Sequence, residues 1–200
     1  MGIHRNLDPI YNFPELRMVK NLVHNLPLRT SALRTLGAFA NVTASESFMD
    51  DLADEAELDP IEFRINHLDD LRAIDLLNDL KTNMNKDKIE ANNHRGIGFS
   101  RYKNLASYCA VGVEINISDD LNINLINVWI SVDAGEIAYK EGIEAQVEGG
   151  FIQAASWSLY EEVKYDAKEI LSRDWEDYPI IQFDNIPNIK TSIINRIGQP

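Results

Sequence analysis

Residues 110–132 read AVGVEINISDDLNINLINVWISV. Val111, Val113, Ile115 and Ile117 alternate with Gly112, Glu114 and Asn116, the period-two pattern of a strand with one buried face. Asp119 and Asp120 supply a turn. Ile126, Val128, Ile130 and Val132 then resume the alternation over 124–132, which predicts an antiparallel hairpin inside a larger sheet.

Working upstream, the period changes to that of helices. Thr43 followed three residues later by Glu46 predicts a capping box opening a helix over 44–58, with Phe48, Met49, Leu52, Ala53 and Ala56 on its apolar side. Asp59-Pro60-Ile61-Glu62 repeats the start signal, with an acidic cap and proline at the first helical position, ahead of Ile61, Ile65 and Leu68. A third helix is expected over 71–80, a polar mobile linker over 81–94, and a turn at Gly96 and Gly98. Pro9, Pro14, Pro27 and Gly37 punctuate an extended lead-in over the first forty residues.

Downstream of the hairpin, residues 141–163 read as a helix. Gly149, Gly150, Ala154, Ala155 and Ser156 sacrifice helix propensity there for a small side-chain profile, so something is expected to approach this backbone closely. Pro179, Pro187 and Pro200 surround apolar runs at 180–183 and 189–197, read as further strands. The fold class is α+β, a mixed or antiparallel sheet packed with helices. The domain is divided into a lead-in with helices over 1–80, the linker over 81–94, and the sheet, small-residue helix and terminal strands over 95–200.

Thirty-two acidic against nineteen basic residues give a net charge of -13, which opposes the phosphate neutralisation that nucleic-acid binding needs and disfavours anionic membrane surfaces. Cys109 is the only cysteine, so this chain holds no intramolecular disulfide and no iron–sulfur cluster by itself; a reducing, cytoplasmic compartment follows as the simpler expectation. No stretch approaches the length of a membrane span. Asp50, Asp51, Asp54, Glu55 and Glu57 form the solvated face of the first long helix, and His4, His24, His67 and His94 lack metal-ligand spacing. Cys109, in a strand-like run, is expected to be buried.

Four segments together resemble the large, molybdopterin-binding subunit of the xanthine dehydrogenase and aldehyde oxidase family, in particular its isoquinoline 1-oxidoreductase-like and nicotinate dehydrogenase-like branch. They are PLRTSALRTLGAFANV at 27–42 with ESFMDDLADEAELDPIEFR at 46–64, RGIGFSRYKNLASYCAVGVEINI at 95–117, VDAGEIAYKEGIEAQVEGGFIQAASWSLYEE at 132–162, and RDWEDYPIIQFDNIP at 173–187. The resemblance implies molybdopterin, in some members as a dinucleotide, approached by Arg34 and Gly37 of the first turn and by Gln146, Gly149 and Gly150 of the QVEGG helix. It implies an oxidoreductase that hydroxylates an aldehyde or N-heterocycle, with electrons leaving through iron–sulfur centres of a partner subunit or domain.

The departures shape the expectation further. Relatives commonly have asparagine-proline where this chain has Tyr139-Lys140, so the approach to the QVEGG helix is expected to be reshaped. The resemblance places the family's catalytic glutamate after a glycine-rich turn that no residue here occupies, so the chain is read as a cofactor-gripping piece, inactive alone. Its implied partners are the remainder of the large subunit, the iron–sulfur subunit, and a second copy through exposed apolar surface. The alternative is a non-catalytic interaction or assembly module that keeps the scaffold without cofactor. From the residues alone, Arg34 also reads as a surface arginine, Gln146 as a solvated helix residue, and Gly149 and Gly150 as packing positions.

Overall fold

A computed structural model describes residues 2–28 and 31–199. Met1, Arg29, Thr30 and Pro200, the last among the prolines expected around the terminal strands, lie outside the described residues. The elements run α1 (Ala38–Glu55), α2 (Pro60–Asn66), α3 (Leu71–Met84), β1 (Asn93–Arg101), β2 (Tyr108–Ile117), β3 (Ile123–Asp133), α4 (Lys140–Leu159) and β4 (Asn188–Ile194). The strands form one sheet in the order β1-β2-β3-β4, antiparallel across the first two pairs and parallel between β3 and β4. The hairpin is therefore present as read, and α4 forms the crossover that a parallel β3–β4 pair requires.

The buried face of β2 is the opposite of the one its apolar residues suggest. Tyr108, Ala110, Gly112 and Glu114 are buried, while Val111, Val113 and Ile115 are half-buried and Ile117 is exposed. The cause is α3, which lays Ala73, Leu76, Leu77, Leu80 and Met84 on the face carrying the small residues. A Cβ at Gly112 would stand 2.4 Å from Met84 Sδ, so glycine here makes room for the Met84 side chain in the position it takes. Glu114 survives burial because Asn93 Nδ2 and Arg95 donate to it.

Other expectations shift at the edges. Lys81 and Met84 belong to α3, and Asn93 and His94 to β1, so the linker contracts to residues 85–92. Gly96 and Gly98 lie inside β1, paired with Val113 and Val111, and form no turn. The run at 180–183 forms no strand and leads into a short 3-10 turn, Phe183–Asn185, whereas β4 occupies part of 189–197. Asp59 caps α2 as expected, accepting from the amides of Ile61 and Glu62 at 3.1 and 3.0 Å.

The expected capping box is absent. α1 begins at Ala38, before Thr43, whose hydroxyl donates back to Phe39 O at 2.7 Å within the helix. Glu46 instead turns inward: Tyr11 Oη donates to its Oε1 at 2.8 Å, and Arg64 Nε and the Phe99 amide donate to Oε2 at 3.0 and 2.8 Å. Arg64, fully buried, also donates to Glu46 O, Asp50 and Pro60 O. One carboxylate thus joins the lead-in, α1, α2 and β1. Burial pushes the Glu46 carboxyl above its usual range despite the adjacent guanidinium.

Two outcomes follow. Glu46→Ala strands the Arg64 charge in the core and should lower unfolding stability by about 3–5 kcal/mol, while Asp50→Ala, at the half-exposed end of the same arginine, should cost about 1 kcal/mol or less; urea titration of both variants checks the ranking. Asp133 is held below the usual carboxylate range, because hydrogen bonds from Arg72, Arg196 and the Gly135 amide outweigh the upward push of burial. Its stabilisation is complete above the unfolded value of about 3.9 and is lost as pH falls through its lower folded value. Glu46, shifted upward, acts in the opposite sense, so the Asp133 contribution is read as the difference between wild type and Asp133→Asn. That difference should be constant above pH ~5 and shrink below pH ~4.

Candidate functional site

On α4, Gln146, Gly149, Gly150, Gln153 and Trp157 follow the i, i+3, i+4, i+7, i+11 spacing of a single helix face. The close approach expected at the glycines is not made by the described residues: a Cβ built on either would meet nothing within 4 Å. Gly142 behaves differently, since the Tyr139 ring lies over it and a Cβ there would stand 2.5 Å from Tyr139 Cδ1. Tyr139 is the N-cap residue of α4 in extended conformation and its ring lies over the first turn, at the position where the departure from asparagine-proline led to an expected reshaping. Gln146 is exposed, and the buried residues of α4 are Ala155 and Ser156, both in its last turns.

The second part of the site is the turn before α1. Thr35 and Leu36 both adopt positive φ, 73° and 58°, a conformation that L side chains rarely take and that costs about 1–3 kcal/mol per residue. The turn is held from below by the lead-in. The Gly37 amide donates to Gly2 O at 3.1 Å, and Asn41 Nδ2 donates to Ile3 O and Arg5 O at 2.9 Å each. A Cβ on Gly37 would lie 2.3 Å from Ile3 O, so the glycine here serves close backbone packing and its amide is already engaged. Arg34 is presented at the exposed side of the turn and reaches outward.

The structure joins these two parts. Arg34 Nη1 donates to Gln153 Oε1 at 2.6 Å, across 119 residues of sequence, and the Phe39 ring stands edge-on to Trp157 with centroids 5.7 Å apart. Arg34, Gln146, Gly149 and Gly150 therefore share one surface, with Gly37 beneath its rim. Gln153 and Trp157 were missed in the sequence, although Gln153 sits two helical turns beyond Gln146 on the same face. Beside α4 a groove of about 470 Å³ opens over the sheet, bounded by Val42, Thr43, Gly98, Val111, Val113 and Ser158. Cys109 lies half-buried on β2, its thiol pushed up to about 11 by burial, which makes it a poor nucleophile.

Chemically, the surface offers a guanidinium, two carboxamides, a glycine floor on which a flat ring could rest against helix backbone, and an indole edge. Such a set suits a planar heterocycle with an anionic substituent. A family model described as "Molybdopterin cofactor-binding domain" matches residues 41–187, and a second with the same description matches residues 1–68. The chain belongs to the molybdopterin cofactor-binding domain family. It is 29% identical to a nicotinate dehydrogenase subunit of Pseudomonas putida over 100% of this chain and 18% of that protein. It is 25% identical to the beta subunit of isoquinoline 1-oxidoreductase of Brevundimonas diminuta over 92% of this chain and 24% of that one. The chain thus spans about a quarter or less of the relatives it matches. The aldehyde oxidoreductase of Desulfovibrio desulfuricans superposes with a TM-score of 0.67 at 12% identity, covering 82% of this chain and 35% of that one. The enzyme from Desulfovibrio gigas gives 0.65 at 11% identity, covering 82% and 36%. These two likenesses support the α+β fold.

The two glycines bear on stability before any ligand is considered. Since a methyl group at 149 meets open space and glycine weakens a helix interior, Gly149→Ala should stabilise the chain by roughly 0.5–1 kcal/mol. A thermal melt that shifts downward instead would mean that this backbone is closely packed in solution.

Proposed function

We propose that this domain supplies one wall of the cofactor cradle of a molybdenum hydroxylase, with Arg34, Gln146, Gly149 and Gly150 facing the molybdopterin and Gly37 setting the turn that presents Arg34. The observation that carries this reading is the open glycine floor at Gly149 and Gly150, flanked by Gln146 and by the Arg34–Gln153 pair. A helix interior gives up propensity at two successive positions, yet nothing among the described residues occupies the room that is left. Arg34 would hold the phosphate end by charge-assisted hydrogen bonds, and the carboxamides would orient the ring edge, donating and accepting as the pterin presents acceptors and donors. Bound there, the cofactor would supply the redox chemistry for hydroxylating an aldehyde or N-heterocycle, while this chain orients it and keeps water from one side.

The reaction itself is proposed to need the rest of the subunit and an iron–sulfur partner, because this chain spans 18% and 24% of its two relatives. Surface area supports a missing partner. A compact monomer of 22.7 kDa exposes about 9,500 Å², whereas the chain exposes 13527 Å². That excess is well beyond the ~800 Å² that one partner gives to a standard interface. Residues 15–27 are exposed throughout, and among the described residues they make no backbone–backbone hydrogen bonds; Leu16, Val19, Leu22, Val23 and Leu26 are each half or more exposed. Such an arm would pack on the remaining polypeptide, or on a second copy when the chain is alone.

Pterin and molybdenum content of the chain co-produced with its subunit partners tests the reading. Gly149→Leu, which fills the floor, and Arg34→Ala, which removes the cation, should each lower the content of both at least tenfold while leaving the melting temperature within a few degrees. Unchanged content in both variants, or no pterin in the wild-type complex, would favour a scaffold that assembles without cofactor.

A further inference from the structure

Gln146 and the two glycines lie on the least supported part of α4. Before Ala155 the helix has no fully buried residue: Ile143, Val147, Phe151 and Ile152 are half-buried where α4 rests on β3 and β4, and Thr191 reaches Glu148 at 3.4 Å, so packing holds this part less firmly than a core helix. Its C-terminal part is fixed: Ser156 Oγ accepts from the Ile181 amide at 3.0 Å and donates to Glu161, Gln153 meets Arg34 in the turn before α1, and Trp157 meets Phe39 in the first turn of α1. At the other end, the hydrogen bonds gather in the loop that precedes the helix.

There, Asp133 closes β3 as a fully buried carboxylate. Arg72 donates to both of its oxygens, at 2.5 Å from Nη2 and 3.2 Å from Nε. Arg196 Nε donates to Oδ2 at 2.9 Å, and the Gly135 amide donates to Oδ1 at 3.0 Å. Arg196 also reaches Asp75 on α3 at 2.9 Å. Around this centre the loop and the segment after β4 are laced together. The Arg196 amide donates to Gly135 O, the Glu136 amide to Gln199 O, the Ile137 amide to Asn195 Oδ1, and the Gly198 amide to Glu136 Oε2, at 2.8 to 3.0 Å. Gly135 and Gly198 take positive φ, 84° and 71°, which lets the two chains turn toward each other.

We infer that Asp133 and Arg196 form a positioning clasp that holds the N-terminal half of α4, and with it Gln146 and the glycine floor, at a fixed height above the sheet. The argument is mechanical. Helix rise is about 1.5 Å per residue, so Gln146 lies roughly 9 Å along α4 from Lys140, near the clasped end and away from the packed end. With the clasp open, α4 would swing about Ser156 and Trp157, with a displacement that grows toward Lys140 and that reaches Gln146, roughly 15 Å from the pivot. A pterin wall needs its contacts held to within about 0.5 Å. This role rests on the proposed cradle, and the experiment separates the two.

Hydrogen exchange of the chain without cofactor tests the clasp alone. Arg196→Gln should speed exchange of the amides of Gly135, Glu136 and Ile137 and of residues 144–150 by about tenfold or more, with β2 and the end of α4 unchanged. Arg196→Lys, which keeps the charge but loses the fork, should fall between. Glu114→Gln, at the buried centre toward the far end of β2 from Asp133, serves as the control for general loosening, since it should lower the melting temperature without selecting residues 144–150. Binding of metal-free molybdopterin, followed by its fluorescence, should weaken about tenfold in Arg196→Gln per folded molecule and remain unchanged in Glu114→Gln. Exchange at 144–150 that stays at the wild-type rate in Arg196→Gln overturns the clasp, as does a binding loss matched by Glu114→Gln. If wild type binds no pterin, the cradle reading fails and the exchange result still decides the clasp.

Discussion

The buried Glu46–Arg64 pair is the constraint on which the arrangement of this domain depends. An arginine with a fully buried side chain requires its positive charge and its donors to be met within the protein, and here a carboxylate, two carbonyls and the half-exposed Asp50 meet them. Glu46 supplies two of these acceptors, and Asp50 one turn further along α1 and Pro60 on α2 supply the others, so Arg64 fixes how the two helices dock. Glu46 in turn accepts from Tyr11 in the lead-in and from the Phe99 amide in β1. The helices, the edge strand and residues 2–12 are thereby set as a unit. The strained turn at Thr35 and Leu36 rests on that unit through Gly2, Ile3 and Arg5. Arg34 is consequently presented by a rigid base.

The two faces of the sheet are built on different principles. The face under α3 is closed, with leucines against small strand residues and each buried charge matched: Glu114 by Asn93 and Arg95, Asp133 by Arg72 and Arg196. The face under α4 is open toward β1 and β2, where Gly96 and Gly98 leave room and Val111 and Val113 are only half-covered. An aliphatic strand face left half-covered is costly for a domain standing alone, at about 25 cal/mol for each Å² kept in water. The cost is reasonable if the space serves a ligand or another part of a larger protein. The same logic applies to the extended arm at 15–27 and to the excess of accessible surface.

The sequence pattern conveyed the elements better than their faces. Strict alternation in 111–117 identified β2, because a period of two has few other causes, but it assigned the valines to the core. The error is physical: the core side was decided by where α3 docks, and its leucines and Met84 cover the face of Ala110 and Gly112, whose small size leaves room for them. Glu46 was legible as a glutamate three residues after a threonine, the spacing of a capping box, yet its three partners lie 18, 35 and 53 residues away and no local pattern encodes them. At α4 the small residues did signal an unusual helix. Which face they formed followed from the spacing, while the meeting of Gln153 with Arg34 required the tertiary fold.

The candidate site is therefore best understood as a meeting of two rigidities across a soft element. On one side stands the turn bearing Arg34, fixed through the Glu46–Arg64 centre; on the other stands the loop of Gly135, fixed through Asp133. Between them α4 is bound at its ends and rests half-buried on β3 and β4 in its middle, where helix propensity has been given up for two adjacent glycines. One face of the helix thus meets the sheet while the glycine face stays open. Anchoring at the ends adds to this, because it separates most of the groups that hold the helix from the surface that the helix presents.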